Sequence, residues 1–310
     1  MEALKAVSDY VDLLTTKTRG VLRLTRWREF IPFVIPLTVF GALLGATDKQ
    51  VSLDWRLLVT LIANSFAVAY AFMINDIEDA PDDAREAHRA ARNAITNGEL
   101  TPRQGWAITL AVGAVTFVLY AMVGVWPFVI GVLTMALAHF YSWKPIRLKA
   151  WPVTDILSHS LMLSGLLFLA GFFAYSSTPG LVWLVAMAAT LLSVYGQLYN
   201  QLRDFDMDKA AGLKNTAIMV GPRYAKILMY TSVAMAAVMF VYALWMQVVP
   251  VWLLTVPLLI IPIFYFFRPP VNDMRGTTAV DVSGSVQMPM IIVANVTIGV
   301  WLVAVMIGLA

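Results

Sequence analysis

The chain has no cysteine. Disulfides, thiolate zinc sites, iron–sulfur clusters and cysteine nucleophiles are therefore excluded. Histidine is scarce: His88, His139 and His159 lie far apart, with no metal-ligand spacing. Charge is scarce as well. Only 13% of the 310 residues are charged and 60% are hydrophobic, whereas a soluble domain carries about 25% charged residues. Lipid is the solvent this composition fits. The net charge of +3 is small, and no nucleic-acid partner is expected. The first 28 residues lack an apolar core and a small-residue cleavage site, so they do not read as a signal peptide. Leu4, Val7, Val11 and Leu14 recur at helical spacing and predict an amphipathic helix on the membrane surface. Residues 1–28 are thus expected to be a cytosolic or interfacial segment, ahead of one transmembrane domain over 29–310.

What is abundant is long apolar runs. A helix needs about 20 mostly apolar residues to cross the hydrocarbon core. Nine stretches qualify: 30–47, 55–75, 104–123, 126–142, 151–175, 181–202, 223–245, 249–268 and 288–308. They show no strict alternation, so helices rather than barrel strands are expected. Pro32, Pro36, Pro257 and Pro262 predict kinks. With the N-terminus in the cytosol, 20 of the 22 Lys and Arg fall on the cytosolic side, and only Lys49 and Arg56 fall outside. The expected fold is all-α, a nine-helix polytopic bundle in the lipid bilayer with its C-terminus extracytosolic.

Eight of the 19 acidic residues lie in two short segments, 75–83 and 200–208. Asn75, Asp79 and Asp83 are spaced by four, and so are Asn200, Asp204 and Asp208. On a helix this spacing stacks three oxygen ligands along one face. Both motifs end a predicted membrane helix on the cytosolic side. Four carboxylates on one membrane face repel each other unless a cation sits among them. Hard oxygens suit Mg²⁺, which commonly shares its shell with substrate phosphates. Two such faces could hold a diphosphate between them.

The surroundings repeat too. Tyr70 and Tyr195 each precede the motif Asn by five. Arg92-Asn93 follows the first motif and Lys214-Asn215 the second, with Gly98 and Gly221 beyond. Arg92 and Lys214 are expected to face the charge that grows on a departing diphosphate.

The segment Asn75 to Asp83 resembles the NDxxDxxxD signature of the UbiA superfamily of intramembrane prenyltransferases. The run Asp204-Phe205-Asp206-Met207-Asp208, followed by Gly212, is similar to its second motif, DxxxD. The segment Arg92 to Gly98 looks like the RNPLxxG element, with Ala94 in place of Pro. Tyr141-Ser142-Trp143-Lys144-Pro145-Ile146-Arg147-Leu148-Lys149 looks like the YSxxPxRLK segment. The resemblance spans about residues 20–310. It implies a nine-helix bundle with a central cavity capped on the cytosolic side, an isoprenyl diphosphate donor and a lipophilic acceptor. It implies Mg²⁺ held by Asn75, Asp79, Asp83, Asp204 and Asp208. Tyr141, Ser142, Lys144, Arg147 and Lys149 would help to hold the diphosphate.

Loss of diphosphate leaves an allylic cation, which Tyr195 or Tyr199 could stabilise through its ring. The acceptor carbon then attacks and a proton leaves. Asp155 and His159 are four apart and share a helix face, so either could take that proton. The favoured acceptor is an aromatic or quinone precursor. An isoprenoid, carotenoid or lipid acceptor, or a terpene cyclase, is the alternative. A cation-coupled transporter is disfavoured because the acids sit at helix ends rather than mid-membrane. No obligate protein partner is inferred. Ala71 and Gly196, one turn deeper than the motif Asn residues, with Asn64 further along the first face, are expected to line a prenyl tunnel.

Overall fold

The computed structural model describes the backbone of residues 2–210, 212–266 and 271–309, and the side chains of 14–210, 212–263 and 271–309. Among them the only β pairing is an isolated bridge between Asn272 and Thr278. The helices in chain order are α1 (Glu2–Thr25), α2 (Trp27–Lys49), α3 (Trp55–Asp83), α4 (Ala87–Arg92), α5 (Pro102–Val123), α6 (Val125–Ser142) and α7 (Thr154–Phe173). There follow α8 (Val182–Arg203), α9 (Phe205–Ala210), α10 (Thr216–Val220), α11 (Pro222–Trp245), α12 (Thr255–Phe266), α13 (Val282–Ser285) and α14 (Gln287–Met306). The expected amphipathic N-terminal segment is helical within α1, but the side chains of Leu4, Val7 and Val11 lie outside the described residues.

Eight described helices are long and apolar enough to cross a membrane: α2, α3, α5, α6, α7, α8, α11 and α14. The ninth expected span is shorter. α12 has twelve residues, about 18 Å at 1.5 Å per residue, and is preceded by a 3₁₀ turn over Val251–Leu254. The chain nevertheless returns to the starting face here. α11 begins beside the C-terminal end of α8, where Ala225 and Met229 share a buried cluster with Leu198 and Leu202. It ends at Ala243 and Leu244, which belong to the main core with Val182 and Val185 from the start of α8. Beyond α12, Asp273 is again beside Arg203 at 3.3 Å, at the C-terminal end of α8.

Two features hold the bundle around its centre. α2 and α7 touch backbone to backbone: a Cβ on Gly41 would lie 2.0 Å from the Phe168 carbonyl oxygen, and one on Gly171 would lie 2.3 Å from that of Thr38. Only glycine permits this approach. The second feature is Asn64, fully buried on α3. Its amide donates to Thr38 Oγ1 on α2 at 2.7 Å and to the Leu167 carbonyl on α7 at 2.9 Å. Its oxygen accepts from the Tyr120 hydroxyl on α5 at 2.6 Å. Each such interhelical bond contributes about 0.6–2 kcal/mol, and three of them converge on this one side chain. Asn64 therefore ties four helices together and does not line a tunnel as expected.

Both prolines expected to kink the first span lie within a continuous α2. Pro36 has no N–H for the carbonyl four residues back, which is that of Pro32. Asn295 on α14 donates to that carbonyl at 2.8 Å. The sequence cost of a proline in lipid is thus met by a side chain from the far end of the chain.

Candidate functional site

One cavity of about 1630 Å³ opens at the end of the bundle where α3 and α8 finish. Both acidic motifs line it: Asn75, Asp79 and Asp83 on one side, Asn200, Asp204 and Asp208 on the other. Helix α1, from Leu14 onward, and α4, through Arg89 and Arg92, border it, as does the segment after α6 through Arg147 and Lys149. Ala71, Phe72, Met162 and Leu163 provide an apolar part of the wall.

The acidic side chains are met by cations. Lys149 Nζ donates to Asp79 Oδ2 at 2.5 Å and to Asn75 Oδ1 at 2.9 Å. Arg147 reaches Asp79 at 3.2 Å and Asp82 at 3.7 Å. Burial pulls the Lys149 pKa below its ordinary value, although the adjacent Asp79 carboxylate favours the charged form. Arg26 spans Asp76 at 3.3 Å and Glu29 at 2.6 Å. Arg26 and Arg147 both have positive φ, 52° and 45°. Non-glycine residues in that region cluster at functional sites. Ser142, fully buried, does not line the cavity but donates to Asn75 Oδ1 at 3.0 Å and fixes that amide.

The sequence duplication is real, but asparagine carries it rather than the downstream cation. Asn93 donates to Asp83 Oδ2 at 2.9 Å while its oxygen accepts from the Ile95 N–H at 2.9 Å. Asn215 donates to Asp208 Oδ2 at 2.9 Å while its oxygen accepts from the Ile218 N–H at 2.9 Å. Each asparagine orients the third residue of a motif and caps the turn after it. Arg92 lines the cavity and pairs with Glu29 at 3.1 Å. Lys214 is exposed and does not line it.

Other expected residues are also placed elsewhere. Lys144 is exposed and outside the cavity lining. The Tyr195 hydroxyl donates to Ser283 at 2.9 Å and accepts from Gln287 at 3.1 Å, so it joins α8 to the α13–α14 region, and the residue lies outside the cavity lining. The Tyr199 hydroxyl accepts from the Val280 N–H at 3.0 Å. Gly196 has open space around it and lies outside the lining, whereas Ala71 lies within it. Tyr141 does line the cavity, and its hydroxyl accepts from Gln197 at 3.1 Å.

Asp76 and Arg203 lie inside the two acidic segments but are not among the expected site residues. Arg203 grips Asp204 through two nitrogens at 2.9 Å and also reaches Asp273. Arg26, Glu29 and Arg275 come from segments outside both motifs, and no local spacing announces them.

Among the described residues no three acidic or histidine side chains converge closely enough to hold an ion. The donor set still suits a hard cation. Two amide oxygens and four carboxylates line one cavity. Lys149 and Arg147 pair with Asp79 and Arg203 with Asp204, while asparagine amides hold Asp83 and Asp208. Desolvation, reinforced by Asp204, pushes the Asp208 carboxyl up to about 6. A cation there must displace a proton below that pH. The apparent Mg²⁺ affinity should therefore weaken as pH falls from 7 to 5, by up to about tenfold per unit for one displaced proton. Calorimetric Mg²⁺ titration at several pH values measures this, and the slope should vanish in Asp208→Asn.

A sequence profile described as the UbiA prenyltransferase family matches residues 34–276. Among curated proteins, the lycopene elongase/hydratase of Haloarcula japonica is 26% identical over 280 residues, covering 83% of this chain and 88% of that protein. The digeranylgeranylglyceryl phosphate synthase of Methanobrevibacter smithii is 24% identical over 183 residues, covering 57% and 62%. The fold resembles a UbiA homolog from Archaeoglobus fulgidus bound to GPP and Mg²⁺, with TM-score 0.71, 24% identity, and 92% and 99% of the two chains covered.

Proposed function

Because the chain belongs to the UbiA prenyltransferase family, we propose that it transfers an isoprenyl group from a prenyl diphosphate to an isoprenoid acceptor in the membrane, with Mg²⁺. The observation that carries this reading is the pair of acidic helix ends lining one cavity with Lys149 and Arg147 between oxygen ligands. Asn75, Asp79, Asp83, Asn200, Asp204 and Asp208 would hold the metal, which when bound acts as a Lewis acid on the departing diphosphate. Lys149 and Arg147 then have a second anion to serve. They pair with Asp79 in the structure and would neutralise diphosphate oxygens where a bound ion takes up the carboxylate charge. Asn93 and Asn215 keep Asp83 and Asp208 aimed.

The acceptor reading moves from aromatic to isoprenoid. The two curated relatives carry isoprenoid names, lycopene and digeranylgeranylglyceryl phosphate. The apolar wall of Ala71, Phe72, Met162 and Leu163 has the chemistry for such a chain. Purified protein with Mg²⁺, dimethylallyl or geranyl diphosphate, and either lycopene, geranylgeranylglyceryl phosphate or a hydroxybenzoate tests this by mass spectrometry. Prenylation of the hydroxybenzoate alone would restore the aromatic reading.

The site face is assigned to the cytosol. Lys49 and Arg56, the two outlying cations, sit at the opposite end and are each neutralised there, by Asp48 and Asp54 at 3.0 Å. A C-terminal reporter is expected to be active only on the extracytosolic side. A cytosolic signal would mean one crossing fewer or one more.

A further inference from the structure

The sequence leaves two candidates for the closing proton transfer, Asp155 and His159, on one face of α7. The structure separates them. Asp155 is 1% exposed and outside the cavity lining. It accepts from Gln201 Nε2 and the Thr216 N–H, both at 2.7 Å, from Thr216 Oγ1 at 2.6 Å and from the Ile156 N–H at 2.8 Å. Both of its oxygens are committed, and they lock α8 and α10 to α7.

His159 is the opposite case. It lines the cavity, and its Nδ1 is fully buried with no hydrogen-bond partner among the described residues. A buried polar atom without a partner is rare enough to need a reason. The neighbouring groups place it at a boundary. On one side the Tyr141 ring is 5.9 Å away, next in sequence to the Ser142 that holds Asn75. On the other side Met162 and Leu163, from the same helix, line the apolar wall. Helix α7 widens into a π turn over Leu161–Gly165, two residues on from His159, a distortion that often accompanies functional sites.

We propose that His159 is the proton acceptor that ends the reaction and so decides that the product is an alkene rather than an alcohol. The inference rests on the prenyl-transfer reading above. The donor's allylic C–O bond breaks, and its electron pair leaves with diphosphate. The π pair of an acceptor double bond forms the new C–C bond, leaving a cation on the adjacent carbon. A C–H bond beside that cation breaks, its pair forms the new double bond, and the proton goes to a lone pair of the neutral imidazole. Diphosphate or water takes it on product release. A carbocation that finds no base in a wet cavity is instead captured by water. A general base needs a lone pair not already committed to another donor. Of the two candidates only His159 both lines the cavity and keeps a ring nitrogen unengaged by the described residues.

The test uses the full-length protein in detergent with Mg²⁺, dimethylallyl diphosphate and lycopene, whose double bond is the nucleophile. Geranylgeranylglyceryl phosphate, which offers a hydroxyl and loses an O–H proton without a choice between alkene and alcohol, serves as a second acceptor for wild-type activity only. Products are resolved by liquid chromatography and mass spectrometry. His159→Phe keeps a ring without a base, and His159→Gln keeps polarity without one of matching strength. The wild type is expected to give the prenylated alkene. Both variants are expected to yield a mixture in which products heavier by one water, or alkenes with a shifted double bond, are prominent, with total turnover lower by about tenfold or more. The shift in thermal midpoint caused by Mg²⁺ and inorganic diphosphate should be unchanged. An unchanged product set in both variants overturns the proposal, as does a wild-type product that already carries water. Loss of the diphosphate-induced shift along with turnover would assign His159 to the diphosphate site instead. Wild-type protein inactive on every acceptor overturns the isoprenoid reading itself, a result distinct from active wild type with unaltered variants.

Discussion

Asp79→Asn is expected to lower Mg²⁺-dependent prenyl transfer by about 10³-fold while the protein still folds. Asp79 faces the cavity, and two cations converge on it, Lys149 at 2.5 Å and Arg147 at 3.2 Å. The substitution keeps the shape and removes the charge. A metal ion then loses one anionic ligand from the first motif, and the departing diphosphate meets a site with poorer charge compensation. Folding should survive because Lys149 keeps the Asn75 oxygen as a partner at 2.9 Å, and the packing between helices is untouched. Asp208→Asn tests the second motif in the same way, with Asn215 still able to hydrogen-bond the new amide. Steady-state rates over a Mg²⁺ series, with circular dichroism to confirm helicity, read the effect. Wild-type rates in either variant, or full wild-type activity in EDTA, would falsify the metal role of these carboxylates.

Gly41→Leu should prevent stable folding, a loss of about 3 kcal/mol or more. The added Cβ alone would stand 2.0 Å from the Phe168 carbonyl oxygen and 2.9 Å from the Phe172 nitrogen. These are backbone atoms of α7, which cannot rotate away as a side chain can. Gly45 repeats the contact one turn along, 2.4 Å from the Phe172 carbonyl oxygen. Relief requires α2 and α7 to separate, which breaks the Asn64 bonds to Thr38 and Leu167 together. The control is Gly196→Ala, on a helix whose added Cβ meets nothing within 4 Å. That change should be neutral or stabilising by up to about 1 kcal/mol, since glycine is a poor helix former. Thermal midpoints and monodispersity in detergent compare the two. A Gly41→Leu protein as stable as wild type would mean that the α2–α7 contact is not what closes the bundle.

The sequence by itself determined the solvent, the element type and which acidic residues share a face. Long apolar runs dictate membrane helices because a lipid-exposed backbone must bond within its own segment, and eight of the nine expected runs form full-length spans. The ninth is shorter as a helix. The spacing of four within each acidic motif was legible because helix geometry converts it directly into one face. Those residues do line a common cavity. Tertiary structure decided which polar residues face that cavity and which hold helices together, since side-chain type is the same in both roles. Asn64 and Asn75 are both asparagines on α3, yet the first bonds three neighbouring helices and the second faces the cavity. Asp155 and His159 share a helix face, but only the approach of Gln201 and Thr216 from α8 and α10 saturates one and leaves the other free. Local spacing specifies direction along one helix, whereas the partner across the cavity comes from chain a hundred residues away.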